Sequence, residues 1–438
     1  MKTVFLFLSF LLLSVSATNA QWNQYQTGVP YSLFAVDFYK ANIYVNAVDS
    51  LGLAVGEGGT VLRTTDAGEE WTRVYTYNTI WLNDIKWATP TVAYAAGMGG
   101  VIIKTVNAGV NWTMSRPYDT PMHTIRGIAV DPSDPLKVTC VGYAGTYITT
   151  VNGGSTWNHV HRTDLPWTMH SIDFSPTFVT DGRGIIAGTD GLVWNTTDGG
   201  ITWVSRNSRR YDYLNDVVFI SPINALICGN NGTVILTANW GRTWDSLPSK
   251  FTSEHLRSID FRWGPDNNRN ATVCGDNGTI FTSNNWGNPG SWTDVSPGSE
   301  TRHFYGVCLN GPTIGTVVGE VGTGVGYEEG VMYKTYTNGM VGVSQTGTTV
   351  PQKYLLNQNF PNPFNPTTKI SFAMARSGPV MLTVFDMTGK EVATLVNTTL
   401  SAGNFEYEFD GSKLSSGVYF YRIITNDFVD TKKMSLLK

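Results

Sequence analysis

Two aspartates, Asp84 and Asp216, sit in identical Leu-Asn-Asp triplets in different parts of the chain. A carboxylate pair across a cleft can hydrolyse a glycosidic bond. One group protonates the leaving oxygen while the other attacks or activates water, at separations of about 5–10 Å. The plainer role for an aspartate in this triplet is to cap a turn. Arg126 and Arg257 are two cations that could grip a substrate carboxylate, although no third arginine joins them. The six histidines are scattered and the four cysteines match no zinc spacing, so neither a metal nor a cofactor is expected.

A wider set of residues suits binding. Trp81, Trp167, Tyr213, His255 and His303 each precede a short β-branched segment, and Arg126, His170, Arg257 and Tyr305 lie just inside such segments. Glu57, Tyr143, Asp190, Asp276 and Glu320 lie in glycine-rich turns. On a common face, aromatic platforms, cations and carboxylates would converge as in a ligand cleft. Otherwise they are ordinary loop residues beside packed strands.

A repeat decides what positions them. TTDAGEEW (Thr64 to Trp71) returns as TVNAGVNW, TVNGGSTW, TTDGGITW and TANWGRTW, with a stretched copy from Ser283 to Trp292. The positions that recur are Asp66 and Trp71, Asn107 and Trp112, Asn152 and Trp157, Asp198 and Trp203, and Asn239 and Trp244. The Asx side chain is expected to accept backbone N–H bonds within a hairpin, the glycine to permit a positive φ, and the tryptophan to fill the space between blades.

A glycine-rich turn lies upstream of each tryptophan motif. Its first glycine recurs at Gly56, Gly97, Gly142, Gly188, Gly229, Gly275 and Gly319, at intervals of 41, 45, 46, 41, 46 and 44 residues. Seven such units, rich in Val, Ile, Thr and aromatics, predict a seven-bladed β-propeller of four-stranded blades. The openers LFAV, LNDI, IRGI, MHSI, LNDV, LRSI and FYGV are the expected innermost strands. The seventh unit has no tryptophan motif. Gln21-Trp22-Asn23 should supply its outer strand beside Met332 to Thr335 and so close the ring.

The blades resemble Asp-box (BNR-type) propellers, and the glycine turn followed by a box is most similar to the Ycf48/Hcf136-like photosystem II assembly factors, over Trp22 to Val343. Asp-box propellers include sialidases, xyloglucan hydrolases, sortilin-type receptors and non-enzymatic assembly factors. The resemblance implies that the boxes lie on the face away from any active centre. A sialidase would need the Arg-Ile-Pro signature and a third arginine, and this chain offers neither.

After a polar segment read as a linker (344–353), residues 354–438 have another grammar. QNFPNPFNPTT, VFDMTGKEVATL, LSSGVYFYR and KKMSLLK frame alternating strands, predicting a small immunoglobulin-like β-sandwich. These motifs resemble the type A C-terminal sorting domain of the type IX secretion system, which implies engagement of that machinery and export across the outer membrane of a gram-negative bacterium.

Residues 1–20 read as a secretory signal: Lys2, an apolar run from Phe5 to Val15, and small residues before Gln21. No later segment is long and apolar enough to span a bilayer as a helix. A net charge of -4 without basic runs argues against nucleic acid as a partner. Cys140, Cys228 and Cys274 occupy equivalent repeat positions, too far apart to bond, so buried free thiols are expected. The reading is therefore an all-β protein, a seven-bladed propeller (21–343) followed by a sandwich. It is secreted or held at the cell surface, and it binds an extracellular protein or polysaccharide without catalysis. The competing class is a secreted glycoside hydrolase using Asp84 and Asp216.

Overall fold

The computed structural model describes residues 22–437 apart from 41–48, 75–78, 116–122, 162–166, 177–181, 247–250, 264–268, 284, 289, 299, 312–313, 323–328, 336–342, 348–350, 377, 401 and 412–413. The proposed signal, 1–20, lies outside the described residues.

Seven antiparallel four-stranded sheets follow one another in chain order, as the repeat predicts. The first blade runs Leu33–Phe38, Gly52–Gly56, Val61–Thr64 and Thr72–Val74, and the next five repeat the pattern. Core clusters lie between blades. One joins Leu53 and Val55 of the first blade to Leu82, Ile85 and Ile103 of the second. Another joins Tyr94 and Ile102 of the second to Ile128 and Ile148 of the third. With both sheet faces covered, a strand such as Ala93–Gly97 is buried along its whole length, which explains apolar runs without alternation.

The seventh sheet is completed by the start of the chain. Asn23–Tyr25 pairs with Gly330–Thr335 in the register Asn23↔Lys334 and Tyr25↔Met332. The closure is where the sequence predicts it, with the strand slightly downstream. Trp22 serves as a buried anchor packed with Ile280, Val317 and Tyr333. Lys334 Nζ then bonds Glu69 Oε1 at 2.7 Å, and Tyr25 Oη bonds Glu69 Oε2 at 3.3 Å, tying the seventh blade to the first.

The recurring tryptophan motif is a self-fastened turn. Asp66 Oδ1 accepts the N–H groups of Glu69 and Glu70, and Thr64 Oγ1 accepts that of Gly68. Asn107, Asn152, Asp198 and Asn239 accept equivalent bonds at 2.9 Å. Burial pushes the Asp66 carboxyl up, but the Thr64 hydroxyl and the two N–H donors outweigh it and hold the group below its ordinary range. Trp203 and Trp244 are buried; Trp71, Trp112 and Trp157 are half-buried. Trp203 Nε1 donates to Tyr147 Oη of the preceding blade at 3.3 Å.

All four cysteines are buried free thiols, with burial pushing each thiol up.

The C-terminal region is a sandwich of two four-stranded sheets around Phe372, Leu382, Phe405, Tyr421 and Met434. Its Pro-Asn segment is fixed by buried Asn359, whose N–H donates to Tyr421 Oη at 2.7 Å and whose Nδ2 donates to Thr368 Oγ1 at 2.9 Å. The structure corrects the linker: Val343–Gly347 is an edge strand paired with Gly403–Asp410. A polar stretch can occupy an edge because pairing there needs only backbone groups.

Candidate functional site: the axial well and its mouth

The seven innermost strands surround an axial cavity of about 990 Å³. In every one the register with its neighbour slips at the second residue; Leu33 faces Gly56 and Ala35 faces Val55, for example, leaving Phe34 as an extra residue. The same slip occurs at Asn83, Arg126, His170, Asn215, Arg257 and Tyr305. A β-bulge re-aims its side chain, and all seven line one end of the cavity.

The glycine turns stand beside this mouth for a repeated reason. The residue after the first glycine donates its N–H to the carbonyl preceding the inner strand: Glu57 to Ser32 and Met98 to Trp81 at 2.9 Å, and Glu320 to His303 at 3.0 Å. A Cβ on Gly56 or Gly97 would come within 2.0 or 1.9 Å of the same carbonyls, so only glycine permits the approach.

Of the residues proposed for binding, Trp81, Arg126, His170, Arg257 and Tyr305 line the cavity. Trp81 and Tyr305 flank Phe34 at ring separations of 5.5 and 5.6 Å, forming an apolar arc across the second, first and seventh blades. Tyr213 packs edge-on to His170 at 5.8 Å, and His303 sits 6.5 Å from Tyr305. Asp276 grips Arg257 with two 2.8 Å bonds. Glu320 accepts the His303 N–H at 2.9 Å and the Tyr305 hydroxyl at 3.3 Å. Trp167, half exposed, and Glu57 share the glycine-turn face without lining the cavity. His255 accepts the Asn231 N–H through Nδ1, Tyr143 lies under the Arg126 guanidinium, and Asp190 holds a turn at φ 56°.

Deeper in, six carboxylates line the cavity: Asp84 and Asp216 at the third position of their strands, Asp37, Asp173 and Asp260 at the fifth, and Asp131 just past the end of the third blade's inner strand, 3.9 Å from Lys137. The five on inner strands each accept an N–H of the next blade's inner strand, whereas Asp131 accepts the N–H and hydroxyl of Ser133 in its own loop. Asp84 takes Ile128, Asp216 takes Ile259 and Asp37 takes Trp87, all at 2.9 Å; Asp173 takes Phe219 and Asp260 takes Leu309 at 2.7 Å. The suggested catalytic aspartates are thus fasteners between blades rather than caps of local turns. Sequence reasoning missed Asp37, Asp173 and Asp260, although the fifth residue of the openers LFAVD, MHSID and LRSID carries the signal.

Charge in the well is uneven. Lys40 is paired with Asp260 at 2.8 Å; burial alone would raise that carboxyl, but the Lys40 charge and hydrogen bond hold it low. Burial pushes Asp84 up to about 7, Asp173 up to about 6, and Asp37 and Asp216 upward. Burial disfavours the Lys86 ammonium, yet Asp37, Asp84, Asp173 and Asp216 together keep it protonated. Burial, then the Arg126 charge, pushes His170 down to about 4, so the imidazole is neutral. Burial and the neighbouring Glu320 push Tyr305 up to about 12, so it is a phenol at neutral pH. Among the described residues no three His, Cys, Asp or Glu side chains converge to hold a metal ion.

Residues 358–436 match the family described as "Secretion system C-terminal sorting domain". No curated protein matches the chain. Among solved structures, "YCF48 bound to D1 peptide" is similar with a TM-score of 0.55 and 16% identity, covering 72% of this chain and 96% of that one. YCF48 from Cyanidioschyzon merolae gives a TM-score of 0.55 at 18% identity, covering 72% and 98%. The WD40 propeller domain of Doa1 gives 0.50 at 13%, covering 72% and 97%. The identities are too low to carry more than the fold. The chain joins a β-propeller similar in fold to Ycf48 to a C-terminal sorting domain of the type IX secretion system.

Proposed function

We propose that this is an exported, non-catalytic binding or assembly module that takes an extracellular protein or polysaccharide at the mouth of its axial well. Its sorting tail implies secretion; in this reading the protein acts at, or is released from, the outer surface of a gram-negative cell. The observation that carries the proposal is the repeated bulge, which turns one side chain from every blade toward a single cavity. A neighbour described as bound to a peptide is consistent with a protein ligand.

The hydrolase reading fares worse on electrostatics. Acid–base catalysis by two carboxylates needs environments that push their pKa values apart, and burial pushes Asp84 and Asp216 in the same direction. A Tyr305 nucleophile would need its phenol lowered, and it is raised.

The test presents the full chain to peptide and glycan arrays, with a hydrolysis assay on the bound sugars. Binding without turnover, weakened about tenfold or more by Trp81→Ala with Tyr213→Ala, is expected from loss of aromatic contact. Turnover abolished by Asp84→Asn or Asp216→Asn would overturn the proposal, and binding untouched by the aromatic pair would remove the mouth from it.

A further inference from the structure

Resting on the binding reading above, we infer that the axial well receives an organic ammonium, the side chain of a lysine on a protein ligand inserted through the aromatic arc of the mouth. Three observations converge on this chemistry. The first is charge. Once Asp260 is matched by Lys40 and Asp131 by Lys137, four carboxylates, Asp37, Asp84, Asp173 and Asp216, remain around the single ammonium of Lys86. An anion entering the well would meet four potential negative charges, whereas a second cation would share them. In a partly desolvated cavity such interactions are worth more than in bulk water.

The second observation is Lys86 itself. Its Nζ makes no hydrogen bond or ion pair with any described residue, although it lines the cavity. The well therefore already holds one ammonium in the field of several carboxylates rather than in a contact pair. Room remains in about 990 Å³ for another.

The third is the shape of the approach. Trp81, Phe34 and Tyr305 present ring surfaces at the mouth, which suit an aliphatic stem and attract the cation passing them. Asp84 and Asp216 are one residue deeper than the mouth ring, and Asp37 and Asp173 three residues deeper, or about 3 to 10 Å along a strand. A lysine side chain spans that depth. The mouth cations do not oppose it equally: Arg257 is neutralised by Asp276, Arg126 lies over Tyr143, and His170 is neutral.

The experiment uses tryptophan fluorescence and calorimetry on the full chain. The probes are acetyl-Gly-Lys-Gly-amide, its norleucine and glutamate counterparts, and glucosamine. The lysine peptide should bind at least about tenfold more tightly than the norleucine peptide. Its affinity should rise between about pH 5 and pH 8 with release of protons, because the incoming charge ionises Asp84 and Asp173 while lysine stays protonated. Lys86→Met removes the competing cation and should tighten lysine binding about tenfold, a gain that damage to the fold would not produce. Equal binding of the norleucine peptide, or no gain in Lys86→Met, overturns the inference. Preference for the glutamate peptide or glucosamine also overturns it but leaves the binding-module reading standing. If no probe binds, this inference falls, and the peptide and glycan arrays decide the binding-module reading separately.

Discussion

Asp216 receives four hydrogen bonds from three blades: Ser171 Oγ and the Val217 N–H on Oδ1, and Ser258 Oγ and the Ile259 N–H on Oδ2. Removing it in Asp216→Ala strands these donors in the interior. At about 1–3 kcal/mol for a buried unsatisfied group, the loss should exceed about 3 kcal/mol in denaturant unfolding. Asp84 receives only two, from Ile85 and Ile128. Burial raises its folded pKa from 3.8 to about 7, so its contribution to stability is fully present below about pH 4 and is lost as pH rises through about 7. Asp84→Asn removes this dependence. The melting temperature of the variant relative to the parent should therefore shift in favour of asparagine from about pH 4 to pH 8. A constant difference across that range would show that Asp84 does not titrate there.

The blade is built from two turns of opposite duty. The glycine turn brings backbone against backbone, and Gly97→Ala would force its Cβ to within 1.9 Å of the Trp81 carbonyl. A cost of about 2–3 kcal/mol, with a change in Trp81 fluorescence, is expected because the loop that must move carries that tryptophan. The Asn239 side chain is partly exposed and its bonds with Thr243 lie at the surface, so Asn239→Ala should cost only about 1 kcal/mol by equilibrium unfolding and leave ligand binding unchanged. These turns were the most legible part of the sequence, since glycine and Asx at fixed spacing express local backbone demands. The bulges were legible in part. Arg126, His170, Arg257 and Tyr305 stand out by type, whereas Phe34, Asn83 and Asn215 pass for packing or turn residues. Asn83 Nδ2 and Asn215 Nδ2 in fact reach the next blade's Ile125 and Leu256 carbonyls at 2.7 Å. The carboxylate ring was hidden because its partners are backbone N–H groups of the neighbouring blade, which leave no mark in composition. The edge strand Val343–Gly347 was missed for the same reason.

Across the whole molecule, Trp22 is the side chain on which closure can be tested. Trp22→Ala opens a cavity between the sixth and seventh blades, where it packs beside Ile280 and Tyr333, and should cost about 3–5 kcal/mol, read as a lower midpoint in denaturant. Glu69→Gln should act more weakly, since its pairing with Lys334 is partly solvated. Every strand of the ring lies between Asn23 and Thr335, ahead of the first strand of the sandwich at Val343.

The pairing of Asn23–Tyr25 with Gly330–Thr335 also sets an order in time. Blades one to six can each be assembled from contiguous chain, through contacts of short sequence separation. The seventh must wait until both ends of the ring are present, and the bond from the Thr27 N–H to Glu329 spans 302 residues. Contacts of such separation form slowly because loop closure precedes any reward. The first strand made is thus the last one seated, and until then the chain carries an open sheet edge that a chaperone or a second copy can occupy.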